Sequence, residues 1–188
     1  MGIGFENRIY VPLGVGKVSR FSIKSVSNMG KLEMILPLGN PKLYEVSSPV
    51  KEEEVPGLMP VVKDLHDILF EFRARYHAGR AIAAPQIGVM KRLIYMNIER
   101  PVVIFNPVLA EMSPEKFELW DDCMCFPNLL VRLERHKSLR LTFRDENWKE
   151  HSWLLSDALS ELIQHEYDHL DGILATQRAM DNKSFKWR

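Results

Sequence analysis

A chain of 188 residues with 46% hydrophobic and 27% charged side chains has the make-up of one soluble globular domain with at most a short appendage, because a fold of that size buries most of its apolar surface. Its 25 basic and 25 acidic residues cancel, which gives no electrostatic case for nucleic-acid binding, and no apolar run approaches the roughly 18 residues of a membrane span. The two cysteines, Cys123 and Cys125, stand too close in sequence for a routine disulfide, so reducing surroundings are expected.

The first 33 residues carry five basic side chains (Arg8, Lys17, Arg20, Lys24, Lys31), two acidic ones and several serines. That bias suits either an organelle leader or an ordinary N-terminal extension. Residues 34–188 contain no repeat or low-complexity tract and read as a single domain. From "PGLMPVVKDLHDILFEFRARYHAG", Val62, Leu65, Leu69, Phe72 and Tyr76 recur at spacings of three and four, which predicts an amphipathic helix stopped by Gly79. The stripe implies core packing and no chemistry. "GRAIAAPQIG", residues 79–88, is a tight loop of small residues that allows close backbone approach beside the amide of Gln86.

The period then changes. "RLIYMNI", "VVIFNPVL", "FELWDDCMCF" and "LRLTFRDENWKEHSWLL" are short, rich in β-branched and aromatic residues and divided by Pro, Asn and Asp, as strands are, with a hairpin turn at "DENWK". "DALSELIQHEYDHLDG" reads as a second helix, capped at Ser156 or Asp157 and stopped by Gly172. Helices at both ends of a run of strands predict an α+β fold with a mixed or antiparallel sheet.

That second helix carries His165, Glu166 and His169. Residues four apart project from one helix face, so both imidazoles can reach one divalent ion, with Glu166 displaced far enough to act as a base. Taken alone, the pattern also arises by chance on a solvated helix. A catalytic centre needs a third ligand, for which Cys123 is the best candidate. In a strand Cys123 and Cys125 share a face, and both thiols approach the ion unless a bulge or loop separates them.

Together the stretches "GRAIAAPQ", "DDCMC" and "QHEYDH" resemble the peptide deformylases, whose motifs have the forms G-x-G-x-A-A-x-Q, E-G-C-x-S and Q-H-E-x-D-H, over about residues 34–175. The resemblance implies one divalent metal per chain, Fe2+ or Zn2+ with Ni2+ or Co2+ able to substitute, held by Cys123, His165 and His169. It implies Glu166 as general base, with Gln86 and the Met124 N–H as donors to the oxyanion. The implied reaction removes the formyl group from N-formyl-methionyl peptides of nascent chains, with ribosome-associated chains as substrates and neither nucleic acid nor membrane as partner. A bacterial source implies the cytoplasm; a leader implies a mitochondrion or plastid. Gly79, Arg80, Ala81, Asp122, Glu161 and Leu162 fall along the implied substrate groove, and Arg135 and Asp168 match a bracing pair. The chain departs from the motifs at Arg80 and Ala81, at Asp121 and Asp122, and at Cys125. These departures leave the ligands intact and raise two expectations: an altered substrate preference, or a weakly active or non-catalytic relative that binds a peptide or protein partner.

Overall fold

The computed structural model describes residues 30–188. Residues 1–29, which hold most of the leader-like composition, lie outside them. A 3-10 turn at Lys31–Met34 is fixed to the first helix through Lys31, whose main-chain N–H donates to Glu71 at 2.8 Å.

The first helix, α1, spans Val55–Tyr76 and buries Val62, Leu65, Ile68, Leu69 and Phe72. It stops at Tyr76, three residues before the expected glycine. His77 takes the left-handed conformation and its N–H reaches back to Arg73 O at 3.0 Å, while Gly79 (φ 106°) turns the chain into the next strand. A Cβ at Gly79 would lie 3.0 Å from the Met124 Cε, so the glycine is also a close approach.

The expected single sheet is two sheets, both antiparallel. Strands β1 (Ala81–Ala83), β2 (Leu93–Asn97), β3 (Pro101–Ala110), β6 (Ser138–Arg144) and β7 (Glu150–Ser156) form one, in the order β1-β2-β3-β6-β7. Strands β4 (Lys116–Asp122), β5 (Leu129–His136) and β8 (Phe185–Trp187) form the other, in the order β4-β5-β8. Among the described residues, parallel pairing is confined to an isolated Ser48–Lys91 bridge. Every residue of β1 and β2 is buried, because the larger sheet is covered on both faces. On one face Leu65, Leu69 and Phe72 of α1 meet Ile82, Leu93 and Phe105. On the other, Leu162, Ile163 and Leu170 of the second helix, α2 (Asp157–Leu170), meet Ala83, Ile94, Ile104 and Leu141.

The start of α2 is held by neither expected side-chain cap. Instead the main chain of His136 is read in both directions: its N–H donates to Gln164 Oε1 at 3.0 Å and its carbonyl accepts from Gln164 Nε2 at 2.9 Å and from Ser160 Oγ at 2.8 Å. This fixes the helix to the end of β5. Past its other end, Gly172 sits at φ 70°, and a Cβ there would come within 2.6 Å of the Tyr44 carbonyl carbon and oxygen. No helix among the described residues is long and apolar enough to cross a membrane.

Two glycines give a paired stability test. Gly172→Ala adds both strain and a clash and should destabilise by about 2–3 kcal/mol, lowering the melting temperature by about 4–12 °C. Gly57→Ala, in α1 with nothing within 4 Å of its Cβ, should be neutral or slightly stabilising. Thermal unfolding followed by circular dichroism compares them.

Candidate metal centre

Cys123 stands just past the end of β4. The strand was expected to continue through Phe126, but the backbone leaves it after Asp122 and turns, with Phe126 N–H bonding Cys123 O at 3.1 Å. The turn does not part the two cysteines: Cys125 N–H donates to Cys123 Sγ at 3.4 Å. One ligand atom from each of Cys123, His165 and His169 lies within 4.8 Å of the others, and Cys125 is not in that cluster. Cys123 Sγ is 3.3 Å from His169 Nε2, and the two imidazoles stand 5.0 Å apart, tilted by 73°.

A carboxylate orients the first imidazole. His165 Nδ1 lies 2.9 Å from Asp121 Oδ2, leaving Nε2 for the centre. Asp121 also accepts from Arg135 at 3.1 Å, Arg135 donates to Asp168 at 2.5 Å, and Arg178 closes the chain on Asp168 at 2.8 Å. Burial alone would raise the Asp121 carboxyl, but the charges of His165 and Arg135 outweigh it and hold it at about 2. Likewise burial pulls His165 down, and Asp121 more than reverses this, to about 9. A site built to keep a positive charge at His165 suits a cation equally well.

The other groups point the same way. In the protein alone, burial pushes the Cys123 thiol well up and His169 well down, so neither carries charge without help. A divalent cation supplies it by coordinating thiolate and neutral imidazole. One sulfur and two nitrogens, buried and convergent, form a donor set that zinc or ferrous iron accepts, with a coordination position to spare. The residues fit a metal.

Glu166 is buried beside them. Burial first, and neighbouring Asp121 and Glu161 less strongly, push its carboxyl up to about 7 against the pull of His165, and its Oε2 has no hydrogen-bond partner among the described residues. Gln86 is fixed by its Oε1, which accepts from Ala83 N–H at 2.7 Å. Its Nε2 is thereby aimed at the centre, 3.6 Å from Cys123 Sγ and 3.7 Å from Cys125 Sγ. A cavity of about 60 Å³ opens here. Gly79, Arg80, Ala81, Gln86, Asp122, Cys123, Met124, Glu161, Leu162, His165 and Glu166 all line it, while His169 lies behind the lining, 1% exposed.

The polypeptide deformylase family model matches residues 32–185. This chain belongs to the peptide deformylase family. It is 33% identical to the peptide deformylase of Leptospira biflexa over 165 residues, 80% of this chain and 89% of that one. It is 31% identical to peptide deformylase 1 of Prochlorococcus marinus over 163 residues, 80% and 82% of the two chains. The peptide deformylase structure from Thermotoga maritima superposes with a TM-score of 0.71 at 28% identity, covering 78% of this chain and 97% of that one. The deformylases are metallohydrolases that remove the formyl group from nascent polypeptides, and this chain is an α+β hydrolase of that family.

Three residues around this centre were not foreseen. Asp121, noted only as a departure from the motif, orients His165; its signal was the strand alternation that puts it on the same side as Cys123. Arg178 on Asp168 and Arg188 on Asp122 come from beyond the motifs, and nothing local in the sequence marks them.

Cys123→Ala should abolish stoichiometric metal binding, measured by elemental analysis after dialysis. Asp121→Asn removes the anion behind His165 and should weaken metal affinity about 10- to 100-fold in a chelator competition.

Proposed function

We propose that this deformylase holds one divalent ion, Fe2+ or Zn2+ with Ni2+ or Co2+ able to substitute, on Cys123, His165 and His169, and hydrolyses the formyl amide at the N-terminus of nascent chains. The observation that carries the reading is a partnerless, buried Glu166 carboxylate oxygen beside three converging soft and nitrogen donors. A structural metal site has no use for such a carboxylate. Bound there, the ion supplies Lewis acidity, polarising the formyl carbonyl and making water more acidic.

The chain's own residues do the rest. Glu166, with an affinity for protons near neutrality, takes one from the attacking water as its oxygen adds to the formyl carbon. Gln86 Nε2, held in place through its Oε1, and the Met124 N–H donate to the oxygen on which negative charge develops. When the C–N bond breaks, Glu166 returns the proton to the leaving nitrogen. The products are formate and a free amine. Gly79, Ala81, Asp122 and Leu162 border the peptide that follows the formyl group. Ribosome-associated nascent chains are the substrates proposed for a bacterial cytoplasm, and their organellar counterparts if residues 1–33 act as a leader.

A second reading, a weakly active relative that binds a peptide or protein partner, draws on the charges in the cleft, where Arg80 pairs with Glu161 and Asp122 with Arg188. Glu166 decides between the readings. Glu166→Gln should retain the fold and metal while losing about 10²-fold or more in formate release. Gln86→Leu should cost about 10²- to 10³-fold with metal content unchanged. Retained metal with retained turnover in Glu166→Gln would remove the proposed base, and a metallated parent that releases no formate would favour the binding reading.

A further inference from the structure

Cys123 and Cys125 are the two cysteines of the chain, and both are buried, free thiols. The metal site uses Cys123; the hydrolytic chemistry leaves Cys125 without a task. In an extended strand their Cα atoms would lie about 6.6 Å apart, near the outer limit of what a disulfide spans. The turn closed by Phe126 N–H on Cys123 O draws the two residues closer than that, and it brings Cys125 N–H to Cys123 Sγ at 3.4 Å. A single amide nitrogen, Gln86 Nε2, lies 3.6 Å from the first sulfur and 3.7 Å from the second. The two cysteines border different spaces. Cys123 lines the metal cavity, whereas Cys125 lines a second cavity of about 250 Å³ beside Leu32, Ile35, Phe72 and Tyr76.

Beyond the hydrolytic reading, and resting on its metal site, we propose that Cys123 and Cys125 form a reversible disulfide on exposure to hydrogen peroxide, which withdraws the sulfur ligand and releases the metal. Held as a thiolate in the loaded site, Cys123 is the nucleophile of the pair. Its sulfur attacks one peroxide oxygen: the S–O bond forms, the O–O bond breaks, and the departing hydroxide takes a proton from the medium to become water. The Cys125 sulfur then attacks the Cys123 sulfur. The S–O bond breaks, and hydroxide leaves with the Cys125 proton as a second water. Two electrons pass from the pair of sulfurs to one peroxide, and the bridged sulfur has no thiolate charge left with which to hold a metal.

A bridge across one intervening residue is strained, which places it among the labile disulfides that small thiols reduce. The cavity beside Cys125 gives such a thiol a path that does not cross the metal cavity, and two successive exchanges there restore both cysteines. The second thiol also protects the ligand. Without Cys125 to capture it, the sulfenic acid on Cys123 goes on to sulfinic and sulfonic acids, which thiols do not reverse.

The test treats the metal-loaded protein with excess hydrogen peroxide and follows intact mass, thiol count after denaturation and metal content. The parent should fall by about 2 Da as a monomer, lose both titratable thiols and release its metal. Dithiothreitol followed by fresh metal should restore both thiols and the metal. Cys125→Ser, metallated before treatment, should instead gain about 32 or 48 Da and recover no metal binding with dithiothreitol. A parent that gains oxygen without the loss of 2 Da, or that keeps both thiols, would overturn the proposal, as would a Cys125→Ser variant that dithiothreitol restores as fully as the parent. Should Cys125→Ser fail to fold, the mass and thiol count of the parent decide alone. A reduced parent that takes up no metal would sink the metal reading instead, while its mass change still tests the disulfide.

Discussion

The guanidinium of Arg135 is sealed between two carboxylates, Asp121 at the end of β4 and Asp168 on α2, with all three side chains less than a tenth exposed. Most of the site depends on this contact. It joins the helix that carries both histidines to the strand that delivers the cysteine, and it keeps ionised the carboxylate that orients His165. A buried charge triad of this kind is weak evidence for net stability, since an apolar replacement of equal volume can serve as well. Removing one member leaves an uncompensated buried charge, at a cost of about 3–5 kcal/mol. Its use here is positional: it fixes where one imidazole nitrogen points.

The ligands meet because three local events occur at the right places. β4 ends at Asp122, so the Cys123 thiol reaches His169 while Cys125 stays beside it against Gln86, outside the cluster of three donors. Gln164 grips the main chain of His136 in both directions, which sets the depth of α2 against β5. Gly79 lets the Met124 side chain pass close to α1, so the segment after the ligand packs under the cleft. The two sheets therefore matter as separate bodies: the larger one carries Ala81 and Gln86 on its edge, and the smaller one carries Asp121 and Cys123.

Much of this was legible in the sequence where period and chemistry coincide. The stripe through Leu65, Leu69 and Phe72 gave α1, the alternation around "DENWK" gave the β6–β7 hairpin, and the spacing of His165 and His169 placed both rings on one face of α2. Strand β5 was hidden because its inward positions run Val131, Leu133, Arg135, so a buried arginine broke the apolar alternation that reveals strands. Strand β8 is three exposed residues on an edge, with no pattern to read. The end of β4 was missed because the sequence stays aromatic and sulfur-rich to Phe126, and only tertiary packing turns the chain at Cys123. Arg80, Asp122 and Glu161 were legible as groove positions but not their partners; the structure pairs Arg80 with Glu161 and brings Arg188 from 66 residues away to Asp122.

The central claim is that a single metal is held by one thiolate and two imidazoles, with Cys125 outside its coordination. X-ray absorption at the metal edge of the zinc-loaded protein tests this most directly. The account predicts one sulfur at about 2.3 Å and two imidazole nitrogens at about 2.0–2.1 Å, the remaining position being filled by a light atom. A first shell with two sulfurs, or with none, would contradict it.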